Sequence, residues 1–154
     1  MEIRKARPSD LPRLTRLWLE FMEYHRRIDG DYELCQGARE RWGEYVMSKF
    51  EDESAQLFVA VDQEEVVAYA GAVVRDYPPV FTLKKFGFIE EIFVSGDYRR
   101  KGIARQLFTA AEEWLLSKKV ERIEVSIDSA NDASQGFFRD HGFQAHVVRL
   151  IRKY

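Results

Sequence analysis

The chain has 154 residues, 45% of them hydrophobic and 32% charged, with a formal net charge of -2. That length suits a single domain, 1–154, with a sizeable core, and the balance excludes an intrinsically disordered segment. A near-neutral charge gives no global attraction to nucleic acid or to an anionic membrane, so any basic site must be local.

Cys35 is the single cysteine. It excludes an intrachain disulfide, and no Cys/His cluster has metal-ligand spacing, so a reducing compartment without a structural metal is expected. The opening MEIRKARPSDL carries charges where a signal peptide needs an apolar core. No apolar run approaches the roughly 20 residues that cross a bilayer. The expectation is a cytoplasmic protein with neither membrane nor nucleic acid as partner.

Taken in order, Glu2 to Arg7 alternates as a short strand, and Ser9 or Asp10 is placed to cap the next element. Leu11, Leu14, Leu17, Trp18, Phe21 and Met22 recur at three and four, which predicts an amphipathic helix to about Arg27. Asp29-Gly30-Asp31 breaks it, and a second helix is predicted from about Gly37 to Phe50. The period then changes. Leu57–Val61 and Val66–Val74 are apolar runs joined by a polar turn, the pattern of a hairpin with buried strands. Tyr77-Pro78-Pro79 ends the second run, and Val80 to Phe86 leads into a further strand that reaches Val94. A helix begins at Ile103, with Leu107, Ala111 and Trp114 on one face. Arg122 to Asp128 alternates as a strand, Asn131-Asp132 opens a short helix, and Gly142 closes it in the left-handed position glycine favours. Phe143 onward, with Val147, Val148, Leu150 and Ile151, predicts a last strand. The order β-α-α-β-β-β-α-β-α-β describes an α/β domain with a mixed central sheet flanked by helices.

The chemistry concentrates in GFIEEIFVSGDYRRKGIARQL, residues 87–107. A strand runs through a tight glycine loop into a helix, which points backbone N–H groups and the positive helix end at one spot suited to a phosphate. A Walker loop and a dinucleotide fingerprint both fail on spacing. A basic turn capping an ordinary helix is the competing reading. Arg99-x-x-Gly102-x-Ala104 resembles the pyrophosphate-binding motif Arg/Gln-x-x-Gly-x-Gly/Ala of the GNAT superfamily of acyl-CoA N-acyltransferases. A second stretch, Asn131-Asp132-Ala133-Ser134-Gln135-Gly136-Phe137-Phe138-Arg139-Asp140-His141-Gly142-Phe143, is similar to that family's Asn-x-x-Ala-x-x-x-Tyr-x-x-x-Gly-Phe ending. With both motifs in order and a strand between them, the resemblance covers nearly the whole chain.

The resemblance implies the GNAT fold and acetyl-CoA as cosubstrate. It implies that Ile92, Phe93 and Val94 lie along the pantetheine arm. It also implies that Arg99, Arg100, Lys101, Gly102, Ile103, Ala104 and Arg105 surround the pyrophosphate. Asn131 matches a position that contacts the pantetheine, although a helix N-cap would equally explain it. The reaction implied is direct acetyl transfer to a primary amine, which asks for a base, a stabilised oxyanion and a proton for the leaving thiolate. Glu90 and Glu91 are the candidate catalytic carboxylates. Neighbouring strand residues point to opposite faces, so one of them is expected to face the cleft, and the resemblance favours Glu90. Backbone N–H groups near Ile92 to Val94 would meet the oxyanion.

Where many relatives carry a tyrosine hydroxyl, this chain has Phe138. It can pack beside the cofactor or simply fill the core. Ser134, Tyr98, water or an unaided departure remain for the thiolate. A polyamine or aminoglycoside-like acceptor is expected from the acidic Glu90, Glu91 and Asp29–Glu33, and a protein amine is also open. The aromatic-rich surface and family habit suggest a homodimer. The rival class is a non-catalytic acyl-CoA-binding sensor. His25, His141 and His146 form no triad motif, and Cys35 has no basic partner nearby in sequence, so neither acyl-cysteine nor histidine chemistry is favoured.

Overall fold

The computed structural model describes all residues, Met1–Tyr154. Its centre is a five-stranded sheet in the order β1-β2-β3-β4-β5. The strands are β1 (Glu2–Lys5), β2 (Ala55–Asp62), β3 (Glu65–Asp76), β4 (Lys85–Val94) and β5 (Ile123–Val125). The first four pair antiparallel and β5 joins β4 in parallel, giving the mixed sheet expected. Helices α1 (Leu11–Ile28) and α2 (Ala38–Phe50) link β1 to β2, α3 (Ile103–Ser117) links β4 to β5, and α4 (Asp132–Asp140) comes after β5.

The period-two pattern of the strands supplies two cores. On one face Phe58, Ala60, Ala68, Ala70, Ala72 and Ile89 meet the α3 residues Ile103, Leu107, Phe108, Ala111 and Leu115. Alanines along β3 let α3 lie close to the sheet. Gly87 completes the fit, since a Cβ there would stand 2.7 Å from Leu115 Cδ1. On the other face Leu57, Val59, Val66, Tyr69 and Phe93 meet Leu14, Leu17 and Trp18 of α1 and Val46 of α2. The α1 entrance is pinned by Arg4, whose guanidinium makes two bonds of 2.8 and 2.9 Å to the buried Asp10 carboxylate.

Two expectations need correction. The predicted last strand does not form: residues after Phe143 have no regular secondary structure, and Val147, Val148, Leu150 and Ile151 are 74–88% exposed. The sequence there has strand character, but a strand needs a hydrogen-bonding neighbour, and this segment pairs with nothing in its own chain. Its tie to the body is Lys153, which reaches Asp31 at 2.8 Å. The strand expected over Arg122–Asp128 is also shorter, pairing with β4 only from Ile123 to Val125.

Candidate active site

That short pairing creates the site. β5 accompanies β4 only along Gly87–Ile89, so the backbone from Glu90 to Val94 has an open edge on the β5 side. At the same point β4 carries a bulge. Gly71 of β3 faces Glu91 and the next residue, Ala72, faces Ile89, leaving Glu90 as the extra residue. The bulge resets the alternation: Ile89 packs on the α3 face, and after it Ile92 and Val94 do so too, although the spacing is odd. Glu90 and Glu91 therefore both line one pocket on the α2 face, with a volume of about 230 Å³. The expectation that their side chains point to opposite faces fails for this reason.

The two carboxylates have unlike surroundings. Glu91 accepts a 2.7 Å hydrogen bond from the fully buried Tyr69 hydroxyl. Burial pushes its carboxyl up to about 7, with the Glu90 charge adding to the rise and the Tyr69 bond and Lys49 opposing it. Glu90 is saturated with donors. Lys49 Nζ lies 3.1 and 3.0 Å from its two oxygens, and the Tyr45 hydroxyl donates at 2.7 Å. Burial works against the Lys49 ammonium, but its bonds with Tyr45 and Glu90 hold it above its ordinary value. Arg75 approaches Glu90 at 3.7 Å, and its guanidinium lies 4.0 Å from the centre of the Phe88 ring. Sequence reading missed Tyr45, Lys49, Tyr69 and Arg75. Tyr45 and Lys49 come from α2, far from β4 in sequence, Tyr69 and Arg75 come from the preceding strand β3, and the fold brings all four to the carboxylates.

Beyond the strand, the glycine loop takes the geometry an anion site needs. Arg100 (φ 64°) and Gly102 (φ 76°) are both left-handed, and no side chain caps α3. The amides from Arg100 to Arg105 have no acceptor within the chain. Successive free N–H groups at the start of a 15-residue helix fit a pyrophosphate. Arg99 does not point outward as a free charge. Its Nε donates to Val94 O at 3.1 Å, and its guanidinium sits near the rings of Tyr24 and Phe93. Lys101 Nζ donates to Asp97 O at 3.1 Å.

Asn131 is buried, and its Oδ1 accepts from Ser134 N at 3.2 Å, so it does cap α4. It also accepts a 3.3 Å bond from the Tyr24 hydroxyl of α1, which joins the two helices. In the sequence Tyr24 is one more residue of an amphipathic helix, and no signal there distinguishes it. Phe138 is buried in the α3 core, edge-to-face with Phe108 and Phe143. It is a packing residue. The Tyr98 ring has Lys101 Nζ at 5.0 Å from its centre, on the loop rather than beside the carboxylates. His141 bonds Phe137 O through Nδ1 at 2.7 Å and is structural. His25 packs against Phe21 and Tyr32, and burial lowers its basicity against the opposing pull of Asp128. Cys35 is exposed and takes no part. No helix is long and apolar enough to cross a membrane.

An opened parallel edge, a half-buried carboxylate and an uncapped helix start lie along one strand–loop–helix unit, and comparison identifies the family. The model of the Acetyltransferase (GNAT) family matches residues 11–143. The chain belongs to that family. By class it is an N-acetyltransferase. It is 27% identical over 140 residues to an uncharacterized N-acetyltransferase of Archaeoglobus fulgidus, covering 90% of this chain and 89% of the relative. A mutant BH1408 protein from Bacillus halodurans has the same fold, with a TM-score of 0.87 and 23% identity over 100% of this chain and 99% of that one. Aminoglycoside N-acetyltransferase AAC(6')-Iy in complex with CoA is similar at a TM-score of 0.74 and 22% identity, covering 99% of each chain.

Proposed function

We propose that the chain, as one domain over residues 1–154, is an acetyl-CoA-dependent transferase that acetylates a primary amine by direct attack, with Glu91 as the general base. The observation that carries this reading is the position of Glu91 at the β4 bulge. There a carboxyl raised to about 7 borders both the α2 pocket and the open strand edge. Such a group is half ionised near neutral pH, which suits proton removal from an alkylammonium. Glu90, the carboxylate favoured on resemblance, is committed to Lys49 and Tyr45, and we assign it the role of holding that cation and shaping the pocket.

Acetyl-CoA supplies the acyl thioester. The free amides of Arg100–Arg105 bind its pyrophosphate in this reading, and the edge of Ile92–Val94 left open by β5 lies along its pantetheine arm. N–H groups of the same open edge receive the charge that develops on the carbonyl oxygen. The amine nitrogen bonds the acyl carbon, its proton passes to Glu91, and the C–S bond breaks. With Phe138 in the core, the hydroxyl that many relatives place at this position is missing. A thiolate is a modest base, near 8.5 for an ordinary thiol, and it departs without a protein proton. The CoA complex of a relative with the same fold supports the cosubstrate.

Incubating the protein with acetyl-CoA and a broad amine panel, while following free thiol, tests the reading. Turnover of at least one amine is expected. Tight acetyl-CoA binding without turnover of any amine would overturn it and favour the sensor.

We also propose a cytoplasmic homodimer. Its support is the strand-patterned segment after Phe143, whose apolar Val147, Val148, Leu150 and Ile151 are all exposed. The unpaired edge of β5 in a second copy is a suitable template. Light scattering should give a dimer for the full chain and a monomer for a chain ending at Phe143. A monomeric full chain would refute it.

A further inference from the structure

The pocket that receives the acceptor amine, on the reading above, contains one cation that makes no hydrogen bond. Lys49 is spent on Glu90. Arg75 is not: it makes no hydrogen bond within the chain, and its nearest carboxylate oxygen, on Glu90, is 3.7 Å away. Its guanidinium is nonetheless held in place, over the Phe88 ring at 4.0 Å, with its side chain 47% exposed. An arginine fixed on an aromatic ring with its N–H fork free is preorganised for a planar, bidentate anion.

The surrounding charge points the same way. Lys49 and Arg75 face Glu90 and Glu91, while the remaining walls, including Trp42, Val46 and Leu57, are uncharged. Glu91 is only half ionised near neutral pH, so the pocket does not favour a polycation. The acidic loop that suggested one is also engaged, since Asp31 pairs with Lys153 and Asp29 accepts from the Asp31 amide. About 230 Å³ is room for one amino acid.

We propose that the acceptor is a small, largely apolar amine that carries a carboxylate, an amino acid or close analogue, and that Arg75 is the residue that reads the carboxylate. The Phe88 face sets the guanidinium, the apolar wall of α2 takes the side chain, and the amine is left toward Glu91.

The full-length protein is assayed with acetyl-CoA against L-leucine and L-leucinamide, the other amino acids and their amides, ω-amino acids of increasing length, and spermidine. For the best acid, kcat/KM should exceed that of its amide at least tenfold, the scale of a charge-assisted hydrogen-bond pair. Arg75→Gln should bring the acid-to-amide ratio close to one, and Arg75→Lys should restore only part of it. Equal or better turnover of amides or spermidine across the panel overturns the proposal while the transferase reading stands. If no amine turns over, calorimetric titration of N-acetyl-L-leucine and N-acetyl-L-leucinamide with CoA present decides. Acid-selective binding lost in Arg75→Gln supports the pocket assignment and sinks the transferase reading, and unselective binding or none sinks both.

Discussion

Glu91→Gln separates the cost of the proposed base from its use. The Glu91 carboxyl stands at about 7 in the folded protein against 4.5 for an ordinary glutamate. Between those values the native state binds the proton more tightly than the unfolded chain, so the associated stability is complete below pH 4.5 and is lost as pH rises through 7. The full span corresponds to roughly 3 kcal/mol. Because the residue keeps some solvent contact, about 2 kcal/mol is the expected loss in wild type between pH 5 and 8. Glutamine keeps an acceptor for the Tyr69 hydroxyl but cannot ionise. Urea titrations at the two pH values should show that loss in wild type and little of it in the variant. Equal slopes in both proteins would refute the burial argument.

The same substitution should lower kcat by about 10²- to 10⁴-fold, the range for a positioned general base. In wild type, activity should rise with pH through about 7 and then stay level, because no side-chain acid is assigned to the thiolate. A descending limb above neutral pH would show that a donor had been overlooked. Full activity in Glu91→Gln, with loss in Glu90→Gln, would return the base to Glu90. Gly102→Glu should raise the KM for acetyl-CoA at least tenfold in steady-state assays, because it places a carboxylate at the free N–H groups of α3 and forces a side chain onto a φ of 76°. Gly87→Ala should destabilise by about 1–3 kcal/mol in denaturant titration, since the added methyl meets Leu115 at 2.7 Å. Asp10→Ala should cost about 3 kcal/mol by the same measurement, as it leaves the Arg4 guanidinium, half-buried at the sheet edge, without its bidentate partner.

The element order was legible in the sequence because apolar period and punctuation agreed almost everywhere. Gly142 adopts the left-handed conformation its placement suggested, at a φ of 85°. Where the reading failed, a local pattern met a non-local condition. Val147 to Ile151 has the composition of a strand, but pairing depends on which edge lies within reach. Strict alternation placed Glu90 and Glu91 on opposite faces, and one inserted residue opposite Gly71 and Ala72 cancelled it. A bulge of this kind is a matter of register between two strands, and the sequence of one strand does not display it. Lys49, Tyr45 and Arg75 were invisible for a related reason. Each is an ordinary polar residue of its own element and acquires a role only across the pocket.

The charges in that pocket depend on one another, and this explains why two adjacent glutamates are not redundant. An isolated Glu90 charge would raise Glu91 still further, and a protonated Glu91 could not take a proton from an amine. Lys49 prevents this by neutralising Glu90 at 3.0 Å while also drawing Glu91 downward. Burial and the Glu90 charge push the Glu91 carboxyl up, Lys49 and Tyr69 pull it back, and the balance falls where a base is most useful. Lys49→Met should therefore act through Glu91 although it never touches the thioester. The rise of activity with pH should move upward, while the plateau rate at high pH stays within a few-fold of wild type. A loss that is uniform across pH would mean that Lys49 shapes the pocket and does not tune the base.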